Sequence, residues 1–291
     1  MWNSMLLRRV SCAAVLGMQL VLVDMNQAQA EPAHYAGFSV HTGSALHETE
    51  DNFAFALAPN DDVIAIKKSD TGTDSTEVHV LSAASRYQQF SLQTGTPLAE
   101  TGSDFDFVLS GSRDLYAIKK SGTASGTTEL HVLSAKSQYQ EFSLHTATAL
   151  EETDDNYEFE IAPNDDLIVI KKSATGSGST EVHVLSAVSG YQEFSLHTGT
   201  ALHETDETFT FVLARNRDLV ALKLSDTGSH STEVHVLSAA DNYASFSLQT
   251  GTDLQETDDS YGFLMAENRD LVVLKKRDTG TSSTEVHVLS Y

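Results

Sequence analysis

After residue 30 the chain repeats one 52-residue unit five times without an insertion or deletion. E-[VL]-H-V begins at Glu77, Glu129, Glu181, Glu233 and Glu285, and every successive gap is 52 residues. The aromatic of F-S-[LV] falls at Phe38, Phe90, Phe142, Phe194 and Phe246 with the same spacing. A fixed period of this size means one supersecondary unit per repeat, with neighbouring units burying each other's apolar faces.

The first thirty residues do not follow the period. Arg8 and Arg9 precede an apolar run from Val10 to Val23, and Ala28-Gln29-Ala30 supplies a small-x-small cleavage pattern. This reads as a secretory signal peptide over 1–30, leaving 31–291 as the folded domain and the protein secreted and extracellular. The only Cys (Cys12) and the only Trp (Trp2) lie in the leader, so the mature chain has no disulfide and must be stabilised by its core. Loss of two Arg and one Asp moves the formal charge from -23 to -24. An acidic surface disfavours nucleic acid and anionic membranes, which need Lys/Arg neutralisation, and no later stretch is apolar enough for membrane insertion. It permits cations, neutral glycans and basic proteins, and glycans or glycoproteins are the expected partners.

Each unit reads as four strands. Asp62 to Lys67 is apolar on both faces, Thr76 to Leu81 is β-branched and mostly apolar, and Tyr87 to Gln93 and Phe105 to Leu109 alternate. Thr94-Gly95-Thr96-Pro97 reads as a turn between the last two. No stretch has helical spacing. The fold class is therefore all-β: a five-bladed β-propeller of 52-residue repeats closed by a composite N-/C-terminal blade. The doubly apolar D-[LV]-x-[AV]-[IL]-K strand is expected innermost and the F-x-F strand outermost. In that phase Tyr35 to Val40 and Phe53 to Leu57 complete Asp270 to Lys275 and Glu285 to Leu289, a two-plus-two closure.

Motifs such as Asn216-Arg217-Asp218-Leu219-Val220-Ala221-Leu222-Lys223 and Ser179-Thr180-Glu181-Val182-His183-Val184-Leu185 resemble those of secreted five-bladed propeller lectins of the tachylectin type. They also resemble propeller repeats of secreted microbial proteins. The first resemblance implies carbohydrate binding, with one site per blade.

From the residues themselves, the turn bearing Tyr87, Tyr139, Tyr191 and Tyr243 shares a face with the link bearing Asp62, Asp114, Asp166, Asp218 and Asp270. Asn60, Asn164, Asn216 and Asn268 join them. An aromatic ring beside acceptors is what a sugar site requires, although Asp or Asn entering a strand also closes Asx turns. On the opposite face acidic loops such as His47-Glu48-Thr49-Glu50-Asp51 would suit calcium only weakly and read as solvated. His79, His131, His183, His235 and His287 each follow a Glu by two residues, on the same strand face, where a structural hydrogen bond is expected.

No nucleophile-elbow, zinc-protease or paired zinc motif occurs, and five equal copies argue for binding. The chain is therefore expected to be no enzyme, without cofactor or metal, a monomer binding glycans multivalently. A structural or cell-surface matrix protein is the first alternative. A precursor cut at Lys67-Lys68, Lys119-Lys120, Lys171-Lys172 and Lys275-Lys276 is the second.

Overall fold

Twenty strands and four single-turn 3-10 segments make up residues 34–291, the part of the chain that the computed structural model describes. The expected signal peptide lies outside the described residues. β1 is Phe38–His47, and the first complete blade is β2 (Phe53–Leu57), β3 (Val63–Lys67), β4 (Ser75–Leu81) and β5 (Phe90–Ala99). The second is β6 (Phe105–Leu109), β7 (Leu115–Lys119), β8 (Thr127–Leu133) and β9 (Phe142–Glu151). The third is β10 (Tyr157–Ile161), β11 (Leu167–Lys171), β12 (Ser179–Leu185) and β13 (Phe194–His203). The fourth is β14 (Phe209–Leu213), β15 (Leu219–Lys223), β16 (Ser231–Leu237) and β17 (Phe246–Gln255). β18 (Tyr261–Met265), β19 (Leu271–Lys275) and β20 (Ser283–Leu289) pair with β1 to make the fifth. Five four-stranded antiparallel sheets thus form a five-bladed β-propeller.

The phase differs from the sequence expectation by one strand. The F-x-F strands β2, β6, β10, β14 and β18 touch one another around the axis and are innermost, while the F-S-[LV] strands form the outer edge. The doubly apolar strands stand second, where neighbouring blades cover both faces and all four of Val63, Ile64, Ala65 and Ile66 are buried. Inner strands border the central channel and are only half-buried, so complete burial marks the second position and not the axis. Closure is accordingly three-plus-one: β18, β19 and β20 from the C-terminal part, β1 from the N-terminal part.

The expected turn Thr94–Pro97 instead continues β5, with an irregularity in the β4–β5 register between Ser75 and Glu77. The chain passes so close there that in the third blade a Cβ on Gly199 would meet Ser179 Oγ at 2.7 Å.

Five apolar clusters lie between blades. One of them joins Val63, Ala65 and Leu81 of the first blade to Val272, Leu274 and Val286 of the composite blade. Tyr35 fastens the closure. Its N–H donates to Ser290 O at 2.8 Å, its hydroxyl to Arg269 O at 3.2 Å, and its carbonyl accepts from Asp253 N at 3.1 Å. Tyr35→Ala is expected to lower the free energy of urea unfolding by about 3–5 kcal/mol. Val188→Ala, on a side chain 98% exposed, should stay within about 0.5 kcal/mol. Equal effects of the two would refute the role of Tyr35 as a fastener.

Candidate functional site: the grooves between blades

The β2–β3 and β4–β5 turns and their equivalents meet on one face of the ring and bring the Tyr, Asp and Asn residues together. Asp62 Oδ1 accepts from Ala83 N at 2.8 Å, opening the 3-10 turn, and its Oδ2 accepts from Asn60 Nδ2 at 2.8 Å. Asp166 does the same with Ala187 N (2.9 Å) and Asn164 (2.7 Å), and Asp218 with Ala239 N (2.9 Å) and Asn216 (2.6 Å). Asp114 uses Ala135 N (2.8 Å) and Ser112 Oγ (3.1 Å), the second repeat having Ser in place of Asn. Asp270 uses Tyr291 N (2.9 Å) and Asn268 (2.8 Å).

The tyrosines end the turns in the left-handed region, Tyr87, Tyr139, Tyr191 and Tyr243 having φ of 63°, 64°, 65° and 66°. Bulky residues rarely adopt that conformation, and here Tyr87, Tyr191 and Tyr243 are held from three sides and Tyr139 from two. Tyr191, for example, donates from N to Ser186 O (2.9 Å) and from its hydroxyl to Asp165 O (3.0 Å), and accepts from Ala149 N (3.0 Å) of the preceding blade. The rings are driven into the blade junctions and are between 1% and 5% exposed, Tyr35 included. Burial raises their hydroxyl pKa values, that of Tyr35 to about 12. Their faces are taken up by the core, so they do not offer the stacking surface that the sequence suggested. Tyr35 is the fifth member of the set, and counting 52 residues back from Tyr87 would have found it.

Over three of the wedges runs a groove between the outer part of one blade and the turns of the next. At the junction of the composite and first blades it encloses about 580 Å³ and is lined by Ser39, His41, Arg86, Tyr87, Asn268 and Asp270, among others. Between the third and fourth blades the equivalent groove encloses about 640 Å³, with Ser195, Asn216, Arg217, Asp218, Asn242 and Tyr243 on its walls. Between the first and second it encloses about 370 Å³, with Ser91, Arg113, Lys136, Gln138 and Tyr139. The polar rim changes while the floor repeats. Arg113, Arg217 and Arg269 lie 3.7, 3.7 and 3.9 Å from Asp62, Asp166 and Asp218 of the preceding blade. Asp61 and Asp165 occupy the same position at the other two junctions. There burial, then the charges of Asp270 and Asp114 respectively, raise their pKa values.

The channel carries two carboxylates that periodicity could not single out, because other repeats have Ala, Asp, Thr, Gly, Val or Leu at those positions. Glu158 Oε2 accepts from Phe211 N at 2.9 Å and Thr210 Oγ1 at 3.2 Å, while Oε1 lies 3.3 Å from Lys172 Nζ. It thereby satisfies a backbone donor on the free edge of β14. Glu160 lines a cavity of about 190 Å³ with Phe55, Phe107 and Phe159. Burial, then the neighbouring Glu158, pushes Glu160 up to about 8, partly offset by the N–H of Leu213.

On the opposite face each acidic loop uses its glutamate internally. Glu48, Glu100, Glu152, Glu204 and Glu256 each accept from both the N–H and the hydroxyl of one threonine, at 2.6–2.8 Å. Those bonds hold their carboxyl groups below the usual range. The dibasic pairs end β3 and its equivalents, with the second lysine's N–H bonded to Asn52, Asp104, Asn156 or Ser260 at 2.7–2.9 Å. Cleavage there would first require a blade to open.

No protein-family model matches the chain, and no curated protein matches its sequence. Among solved structures, the catalytic domain of the Coprinopsis cinerea GH62 alpha-L-arabinofuranosidase superposes with a TM-score of 0.51 at 8% identity. That match covers 89% of this chain and 98% of the other. Native Bacillus subtilis arabinanase Arb43A gives a TM-score of 0.49 at 12% identity, over 87% and 97%. The likeness to the former, a glycoside hydrolase, supports the propeller fold, and the expected resemblance to lectins of the tachylectin type is not shown. One sequence expectation is thereby overturned. The chain was expected to be no enzyme because of its repeated architecture, yet that architecture carries a catalytic domain in the arabinofuranosidase.

Glu160 also yields a pH prediction. When unfolded it ionises near the ordinary 4.5, and when folded only near 8. Its contribution to stability is therefore fully present below pH 4.5, falls as pH rises to 8, and is level above. Glu160→Gln should raise stability at pH 8 by about 2 kcal/mol, less than the full shift implies because water reaches the channel. It should leave stability at pH 4 nearly unchanged. Urea titrations at the two pH values test this, and an equal change at both would refute it.

Proposed function

We propose that this is a secreted, multivalent carbohydrate-binding propeller whose ligands lie in the grooves between blades. The observation that carries the reading is the recurrence of one groove, over one Tyr–Asp floor, at three junctions with enclosed volumes of about 370–640 Å³. That size suits one or two sugar rings. Repeated Ser hydroxyls and the Arg, Asn, Gln and Lys of the rims supply donors and acceptors for ring hydroxyls. With Tyr87, Tyr139, Tyr191 and Tyr243 wedged between blades, recognition rests on hydrogen bonds more than on stacking. The leader pattern over 1–30 supports an extracellular setting. Several equivalent weak sites on one rigid ring raise avidity without improving any single contact. A carbohydrate-active protein on the same architecture agrees with a sugar ligand.

A glycan array probed with residues 31–291 tests the reading, with release of reducing ends from bound glycans followed in parallel to detect turnover. Saturable binding to a defined glycan class is expected, and Arg113→Ala and Arg217→Ala should each weaken avidity roughly tenfold. These side chains form part-exposed ion pairs, so the variants should fold normally. Absence of binding by protein with an intact β-sheet circular dichroism spectrum would exclude the reading.

A further inference from the structure

The five E-x-H strands do not stand alone. Antiparallel register sets each histidine directly opposite a residue of the neighbouring outer strand, and that residue differs between blades. It is Gln93 and Gln249 opposite His79 and His235, but His145, His197 and His41 opposite His131, His183 and His287. Three blades therefore carry cross-strand histidine pairs. The Nδ1 atoms of His183 and His197 are 3.1 Å apart, as are those of His287 and His41.

Each of these two pairs has a carboxylate at hand. Glu181 Oε2 lies 3.4 Å from His183 Nε2, and Glu285 Oε2 lies 3.4 Å from His287 Nε2. The other carboxylate oxygens are occupied: Glu181 Oε1 accepts from Ser177 N at 3.1 Å and Glu285 Oε1 from Thr281 Oγ1 at 3.0 Å. The loops thus leave one carboxylate oxygen beside the Nε2 atoms of His183 and His287. Glu181, His183, Glu285 and His287 are each only 7% exposed, and the two histidine Nε2 atoms are buried without a hydrogen-bond partner. His197 and His41, by contrast, open onto solvent and provide an entry.

We propose that the third and fifth blades each bind one divalent transition-metal ion, through Glu181, His183 and His197 and through Glu285, His287 and His41. In each set one ligand atom per residue lies within 4.8 Å of the other two. An imidazole gives one nitrogen to an ion, so the carboxylate beside Nε2 and the partner imidazole beside Nδ1 meet on one ion through a side-chain rotation within that spread. Two imidazoles and a carboxylate suit zinc, copper or nickel better than calcium or magnesium, and leave a fourth position for water. The second blade has the histidine pair at 2.6 Å, but Glu129 is set back to 3.7 Å from His131, so it lacks the complete set. The first and fourth blades show what replaces the metal. Gln93 and Gln249 hydrogen-bond to His79 and His235 at 3.2 and 3.1 Å, closing the pair with an amide.

Those two natural blades make His→Gln a substitution the fold already accommodates. The experiment is a zinc titration by calorimetry, with metal content measured after gel filtration. It uses the chain prepared without a polyhistidine tag, in a His145→Gln background that removes the incomplete second-blade pair. Two equivalents of zinc are expected, falling to one in His197→Gln and to none in His41→Gln/His197→Gln, with unchanged circular dichroism. Zinc should raise the melting temperature of the background protein and leave that of the further double variant unmoved. No stoichiometric zinc in the background protein, or two equivalents persisting in the double variant, overturns the proposal.

Discussion

The tyrosine wedge between blades is the interaction on which the ring depends. A blade is a four-stranded sheet with two apolar faces, and it is stable only when both are covered. Each tyrosine ring enters a junction, its hydroxyl bonds the turn behind it, and its carbonyl, in four of the five cases, accepts an N–H from the preceding blade. The exception follows from covalent structure: Pro97 stands where the other repeats have Ala or Asp, and proline has no N–H to donate. The aspartate beneath fixes the 3-10 turn that carries the tyrosine, which is why Asp and Tyr recur together. The grooves lie over that repeated floor, and their rims change in sequence from blade to blade.

The channel obeys a different constraint. Inner strands have a free backbone edge, and water or side chains must satisfy it. Between the third and fourth blades Glu158 does so, and Glu160 shares its confined setting and stays protonated well into the neutral range. Fivefold repetition of the fold therefore does not bring fivefold electrostatic symmetry, because the channel residues differ between repeats.

Much of this was legible from the repeat. Strand count, blade number and the meeting of Asp62 with the Tyr87 turn all follow from period and alternation. The order of strands within a blade did not, because burial on both faces of Val63–Lys67 marks the layer sandwiched by neighbours and not the axis. The stacking role of the tyrosines failed for a related reason: a repeated aromatic at a turn gives no indication of which way its ring points. Glu158 and Glu160 carry no periodic signal, since no other repeat has Glu at either position.

By itself, the sequence determined that five equal all-β units must close on one another, since a strict 52-residue period leaves each blade the same neighbours. Only the tertiary structure decided which side chains meet across strands and blades. His41 and His287 are 246 residues apart, and a single step in the β1–β20 register would separate them. Local pattern encodes the face on which a side chain lies, whereas its partner is set by register and closure.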